Sequence, residues 1–294
     1  MPRNMQPNTP AQPVMSRHVE GRVELRVSDE AVPPEGLPDL MRLPEILRSL
    51  PGGQSRAAGR TTVWRWDPAW LYSGGLAGRR LVVRQFAHGG VLGGLWGTVF
   101  LSRRPLLGEL GLALRALGRG VPTCRPVALR FERAIGPVLR AHYVTEEIPG
   151  AVNLLELCEL HGTGDGVSPG LRQAISRAVA GAVAAMHGAG IRHGDLNLKN
   201  ILVTPGADPP RAFVIDFKKA RAQNCVSLRE GLRNLVRLDR SVVKWPASRR
   251  AITLSDRLRT LRDYLRAFEE AECDWKVVAR SLRTRHRAHA LSRK

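Results

Sequence analysis

His193, Asp195 and Asn200 fall within "HGDLNLKN" (193–200), between two apolar runs, and Asp216 lies in "FVIDF" soon afterwards. A carboxylate and an amide five positions apart suit a loop leaving a helix. There the carboxylate can face an acceptor hydroxyl while the amide oxygen reaches a metal ion. Asp216, at the end of an apolar strand-like run, offers Mg²⁺ a hard anionic oxygen. Phosphoryl transfer from a nucleotide makes these demands, because it depends on positioning and charge neutralisation more than on covalent help. It also calls for a cation on the phosphates and a flexible backbone cover. His193 reads as a brace for the loop rather than a reactant.

The elements that must position these residues follow from periodicity. Leu171, Ala174, Ile175, Ala178, Val179, Ala182, Val183 and Met186 repeat at helical spacing, and Gly188 and Gly190 stop the helix before the loop. A turn at "TPGADPP" separates "NILV" from "RAFVIDF", which predicts two strands around it. Basic helices are expected at "SLREGLRNLVRL" and "SDRLRTLRDYLRAFEEA", the second with a seam of Leu254, Leu258, Leu261, Leu265 and Phe268.

The first half predicts strands at "VEGRVELRV", "TTVWRW", "LVVRQF", "CRPVALRFE" and "LRAHYVTEEI". "LMRLPEILRSL" reads as a short helix or irregular turn. A helix is predicted over "RPLLGELGLALRALGRG", with Leu106, Leu110, Leu114 and Leu117 on one face. Gly52, Gly53 and Gly59 precede "TTVWRW" and suit a loop whose amides face phosphate, although a glycine-rich turn with no ligand reads equally well. "YSGGLAGRR" reads as a hairpin turn.

Composition is globular, with 43% hydrophobic and 24% charged residues, while 46 Lys+Arg against 26 Asp+Glu give a net charge of +20. That excess favours a polyanionic partner: nucleic acid, phosphorylated glycan or anionic lipid. No zinc-finger spacing or aromatic ladder argues for nucleic acid. The four cysteines form no metal-ligand spacing and suit a reducing compartment. The N-terminus lacks a signal-peptide layout, and "GGVLGGLWGTVFL" is too short and glycine-rich to span a bilayer. The expectation is a soluble or peripheral cytosolic protein. Leu92, Leu95, Trp96 and Phe100 are expected to dip into a membrane interface.

"HGDLNLKN" followed by "IDF" resembles the catalytic loop and metal segment of the protein-kinase-like fold. Within it, "HGDLNLKNILV…FVIDF", "LVVRQFAHGGVLGGLWG", "LRALGRGVPTCRPVA" and "YVTEEIPGA" resemble, in order, the 3-deoxy-D-manno-octulosonate (Kdo) kinases and related lipopolysaccharide core kinases. The resemblance covers roughly residues 55–245 and implies an α+β, two-lobed fold. The expected organisation is a small antiparallel-sheet lobe over 19–148 and a mainly helical lobe over 149–282, flanked by a Pro-, Asn- and Gln-rich tail over 1–18 that reads as disordered and a basic tail over 283–294.

The implied activity is ATP- and Mg²⁺-dependent phosphorylation of a sugar hydroxyl on a lipid-linked, anionic inner-core glycan. The implied location is the cytoplasmic face of an anionic inner membrane. Asp195 becomes the catalytic carboxylate, Asn200 and Asp216 the metal ligands, and Glu109 the partner of Arg84 at the phosphates. Glu147 and Ile148, in the connector "TEEIPG", would meet adenine through backbone groups.

The chain departs from ordinary protein kinases in carrying Arg84 where they have Lys, and Asn197 two after Asp195, where many have a phosphate-contacting Lys. Lys199 points elsewhere along the loop. Lys218 replaces the glycine after "DF", and no "APE" segment follows. A core heptose, another small molecule or a protein remains an alternative acceptor. A catalytically silent relative that binds membrane or nucleic acid through its basic surface is the other alternative. The sequence does not set the oligomeric state.

Overall fold

The computed structural model describes residues 15–49, 54–56, 62–66, 80–87, 98–160 and 167–268. The chain forms two compact units, Met1–Gly118 with Cys124–Ile148, and Arg119–Thr123 with Pro149–Lys294.

The first unit holds strands β1 (Met15–Glu20), β2 (Val23–Ser28), β3 (Gln54–Arg56), β4 (Thr62–Trp66), β5 (Leu81–Gln85), β6 (Val99–Phe100), β7 (Pro126–Arg133) and β8 (Leu139–Glu146). They make one antiparallel sheet in the order β1-β2-β7-β8-β5-β4-β3, with β6 on β8. "VEGRVELRV" is not a single strand. Gly21, at φ +54°, turns it into the β1–β2 hairpin, a left-handed position that glycine adopts freely. β1 therefore begins at Met15, inside the segment expected as a disordered tail.

Helices α1 (Leu37–Met41) and α2 (Leu43–Ser49) cover one apolar cluster that includes Leu25, Leu40, Leu43 and Leu81. Helix α3 (Arg104–Gly118) covers another, built from Phe86, Phe100, Leu106, Leu110, Phe131 and Tyr143. Its buried face is Leu106, Glu109, Leu110, Ala113 and Ala116, so Leu114 and Leu117 sit at the margin. The expected membrane role fails for Phe100. Its ring is buried edge-on against Phe86, with centroids 6.2 Å apart, so it belongs to this core. Leu92, Leu95 and Trp96 lie outside the described residues, as does the "YSGGLAGRR" turn up to Arg79.

The second unit holds short strands β9 (Val152–Asn153), β10 (Ile191–Arg192), β11 (Ile201–Val203), β12 (Ala212–Val214) and β13 (Arg221–Ala222). Its helices are α4 (Leu154–Leu160), α5 (Pro169–Gly188), α6 (Leu228–Lys244), α7 (Pro246–Ala251) and α8 (Leu254–Ala267). Their starts are written in the sequence: Ser168 caps α5, while Ser227/Glu230 and Thr253/Asp256 form capping boxes on α6 and α8. Along α8 the buried residues are Asp256, Leu261, Tyr264 and Leu265, whereas Leu254 is exposed. An apolar cavity of about 510 Å³ lies among α4, α5, α6 and α8, lined in part by Leu154, Val179, Leu235 and Leu261. Among the described residues, no helix is long and apolar enough to cross a membrane.

Candidate active site

The loop carrying Asp195 is held by contacts that leave no room for side chains. Gly190, at φ +72°, ends the turn after α5, and a Cβ there would meet Gln223 O at 2.3 Å. That close approach lets β10 pair with β13, Ile191 opposite Ala222. At Gly194 a Cβ would lie 2.0 Å from Lys219 O, so the loop and the segment after Asp216 touch backbone to backbone.

Asp195 is half exposed at its carboxylate, yet its main chain is fixed. Its N–H donates to His193 Nδ1 at 3.0 Å, and its carbonyl accepts from Asn197 Nδ2 at 2.8 Å and Asn200 Nδ2 at 2.9 Å. Because His193 Nδ1 accepts, its proton sits on Nε2, which donates to Ile215 O at 3.0 Å. One neutral imidazole thus ties the Asp195 loop to the strand leading to Asp216, the bracing role expected of it.

The brace continues inward. Asn234 on α6 accepts from His193 N–H at 3.0 Å and donates to His193 O at 2.9 Å. His187 Nε2 donates to Asn234 Oδ1 at 3.0 Å, and its Nδ1 accepts from the Tyr264 hydroxyl at 2.9 Å. Burial pushes the His187 imidazole down to about 4, opposed by its bond to Asn234. Burial likewise lowers His193, opposed by Ile215 O. Both rings are neutral, as those bonds require.

Asn200 and Asp216 are brought together by the β11–β12 ladder, in which Ile201 opposes Val214 and Ile215 N–H donates to Asn200 O at 3.0 Å. Committing Asn200 Nδ2 to Asp195 O leaves Oδ1 as the atom this amide offers a cation. Asp216 takes the left-handed conformation, φ 65° and ψ 72°, rare outside glycine, and Lys218 N–H approaches its Oδ1 at 3.4 Å. Among the described residues no three His, Cys, Asp or Glu side chains converge. Two hard oxygen donors fit Mg²⁺, which is commonly held by one or two protein groups, with phosphate oxygens and water completing its shell.

The cations beside Asp195 were not singled out by spacing. Lys219 Nζ donates to Asp195 Oδ2 at 3.2 Å, and Arg237 Nη1 on α6 lies 3.6 Å from Oδ1. Lys219 was hidden next to Lys218, and Arg237 among many helical arginines. A helical plot of α6 would have shown that Arg229, Arg233, Arg237, Arg240 and Lys244 share one exposed stripe. Lys199 stands over the Trp245 ring, 4.7 Å from its centroid, and so does point elsewhere.

In the first unit, Arg84 on β5 pairs with Glu109 of α3, whose carboxylate is buried. Arg84 also lies over the Phe86 ring at 4.8 Å. Glu147 N–H donates to Arg80 O at 2.8 Å, and its carboxylate meets Arg65 at 3.2 Å. Its amide proton is thus already bonded within the first unit. Gly52, Gly53 and Gly59 lie outside the described residues.

A family model described as "Lipopolysaccharide kinase (Kdo/WaaP) family" matches residues 93–264, more than half the chain. The 3-deoxy-D-manno-octulosonic acid kinase of Vibrio parahaemolyticus is 29% identical over 192 residues, spanning 64% of this chain and 71% of that protein. The one from Xanthomonas axonopodis pv. citri is 28% identical over 223 residues, or 74% and 78%. A solved structure of WaaP in complex with acyl carrier protein matches with a TM-score of 0.54 at 22% identity, covering 84% of this chain and 91% of that one. The shared architecture is the expected protein-kinase-like α+β fold, an antiparallel-sheet portion followed by a mainly helical one. The chain belongs to the lipopolysaccharide kinase (Kdo/WaaP) family and is a phosphotransferase.

Proposed function

We propose that this protein phosphorylates a sugar hydroxyl of the lipopolysaccharide inner core, on Kdo attached to a lipid A precursor, using ATP and Mg²⁺. The observation that carries the reading is Asp195: an accessible carboxylate on a loop fixed by buried bonds, tied by the β11–β12 ladder to Asn200 and Asp216. The naming of the curated relatives as 3-deoxy-D-manno-octulosonic acid kinases supports the choice of sugar.

ATP supplies the phosphoryl group: a bond forms from the acceptor oxygen to the γ-phosphorus as the bond to the bridging oxygen breaks, and ADP leaves with that electron pair. Asp195 orients the acceptor hydroxyl and takes its proton, which passes on to water. Asn200 Oδ1 and the Asp216 carboxylate would hold Mg²⁺, which offsets phosphate charge. Arg84, set by Glu109, would neutralise phosphate in the first unit. The backbone of the 147–148 connector would receive the adenine. Arg237 would meet the carboxylate of the acceptor sugar, where a planar fork suits a carboxylate.

The basic stripe of α6 supports docking on the anionic face of the inner membrane, where each basic side chain contributes about 1 kcal/mol. The test is an acceptor panel: purified protein, ATP and Mg²⁺ with Kdo–lipid A precursor or a heptosylated core, read by mass spectrometry. Phosphate on Kdo is expected. Label on heptose alone would transfer the reading to that sugar, and label on neither would remove it.

A further inference from the structure

We propose that Lys219 is a further catalytic residue, its ammonium contacting the oxygens of the phosphoryl group as that group passes to the acceptor beside Asp195. The inference rests on the kinase reading above and adds the cation that the loop itself lacks. Two residues after Asp195 stands Asn197, whose amide is spent inside the loop, donating to Asp195 O at 2.8 Å and accepting from Lys199 N–H at 3.0 Å. Lys199, the nearest lysine in sequence, is held over Trp245. Arg237 also stands beside Asp195, 3.6 Å from Oδ1, but its planar fork goes to the carboxylate of the acceptor sugar, which leaves the phosphoryl oxygens to a second cation.

Lys219 reaches that place from another segment. Its Nζ is 3.2 Å from Asp195 Oδ2, although the residues are 24 positions apart. The placement is set by the backbone. Residues Phe217–Lys219 form a single tight turn directly after Asp216, closed by Ala220 N–H donating to Phe217 O at 2.9 Å. Phe217 is buried, with its ring 5.8 Å from that of His193. On the other side, the absent side chain of Gly194 lets the Lys219 main chain lie against the loop, with no space for even a methyl group. One rigid turn therefore carries both the Asp216 carboxylate and the Lys219 ammonium.

The chemistry suits lysine. An ammonium has three N–H donors on a flexible stem, so one can stay on Asp195 Oδ2 while another takes a phosphoryl oxygen. The Lys219 side chain is 66% exposed, so it is open to an incoming ligand. It gives up no proton in the reaction; it offsets charge on the three oxygens as the acceptor bond forms and the bond to ADP breaks.

The first readout is calorimetric binding of Mg·ADP with and without fluoroaluminate, which imitates the phosphoryl group in transit. The wild type is expected to bind the fluoroaluminate complex at least about 10-fold more tightly than Mg·ADP. Lys219→Ala should lose that gain while its Mg·ADP affinity stays within about threefold, and Lys199→Ala should keep the gain. In turnover, Lys219→Ala should lower kcat about 10²–10³-fold with little change in the KM for ATP. Adding Asn197→Lys to Lys219→Ala should restore at least a tenth of the wild-type rate, an effect a structural role would not produce. Unchanged melting temperatures for the variants exclude misfolding. The proposal is overturned if Lys219→Ala keeps the fluoroaluminate gain, or if the wild type shows none. If the gain depends on Lys219 but no acceptor is labelled, the inference stands and the sugar acceptor falls.

Discussion

Asn234 grips the main chain of His193 on both sides, with Oδ1 accepting the His193 N–H at 3.0 Å and Nδ2 donating to its carbonyl at 2.9 Å. His187 and Tyr264 hold the amide in that orientation from two other helices, α5 and α8. Asp195 is two residues away and takes its backbone position from His193. The loop is thus aligned from the buried side while its carboxylate faces outward.

Replacing Asn234 with Leu removes both bonds to His193 and the one from His187 Nε2, leaving buried donors and a buried C=O without that partner. A loss of about 2–4 kcal/mol is expected in urea unfolding. The kcat should fall more than the KM for either substrate, since Asn234 positions Asp195 and touches neither substrate. Equal stability and kcat in the variant would contradict the brace.

His193, Asp195, Asn200 and Asp216 were legible because the loop motif and the adjoining strand lie within one short stretch of chain. Lys219, Arg237 and Asn234, which touch the loop, and His187 and Tyr264, which stand behind Asn234, were not, because each arrives by tertiary packing that no single-element periodicity encodes. The first unit shows the same division. Strands β4, β5, β7 and β8 followed from alternation, whereas the β1–β2 hairpin turned on one glycine read as part of a strand. Phe100 looked like a membrane anchor because its apolar neighbours in sequence were visible and its ring partner, Phe86, was not.

Acidification should weaken the protein through its buried histidines. Burial holds His187 and His142 down at about 4, and His193 below the ordinary imidazole range. Each folded pKa lies below its unfolded value near 6.5, so the unfolded state binds the extra proton. The contribution is complete above about pH 6.5 and is lost as pH falls toward the folded values. At pH 5, His187 and His142 should each remove about 2 kcal/mol relative to pH 7.5, seen as a falling urea midpoint. Protonated His193 would also set an N–H against the Asp195 N–H. A midpoint flat from pH 7.5 to 5 would contradict neutral buried rings.

The Arg84–Glu109 pair joins β5 to α3, with the Glu109 carboxylate buried. Arg84→Ala should destabilise the first unit by about 3 kcal/mol, and Arg84→Ala with Glu109→Ala by less, because the double change leaves no buried charge without its counter-ion. Thermal melts of the two variants decide between this and simple additivity.

Arg229, Arg233 and Arg240 lie on the exposed stripe of α6. Changing the three to Glu should reduce flotation with anionic liposomes at least about tenfold, with binding in the parent falling as salt rises. Flotation equal to the parent would remove α6 as the membrane-facing element.

The central claim is that Asp195 activates a sugar hydroxyl for phosphoryl transfer. Its direct test is a single-turnover reaction of enzyme with ATP, Mg²⁺ and Kdo–lipid A precursor, following phospho-Kdo by mass spectrometry for wild type and Asp195→Asn. The account predicts phospho-Kdo from the wild type and a rate at least about 10²-fold lower from Asp195→Asn, with Mg·ATP binding retained. Phospho-Kdo forming at the same rate in both would contradict it.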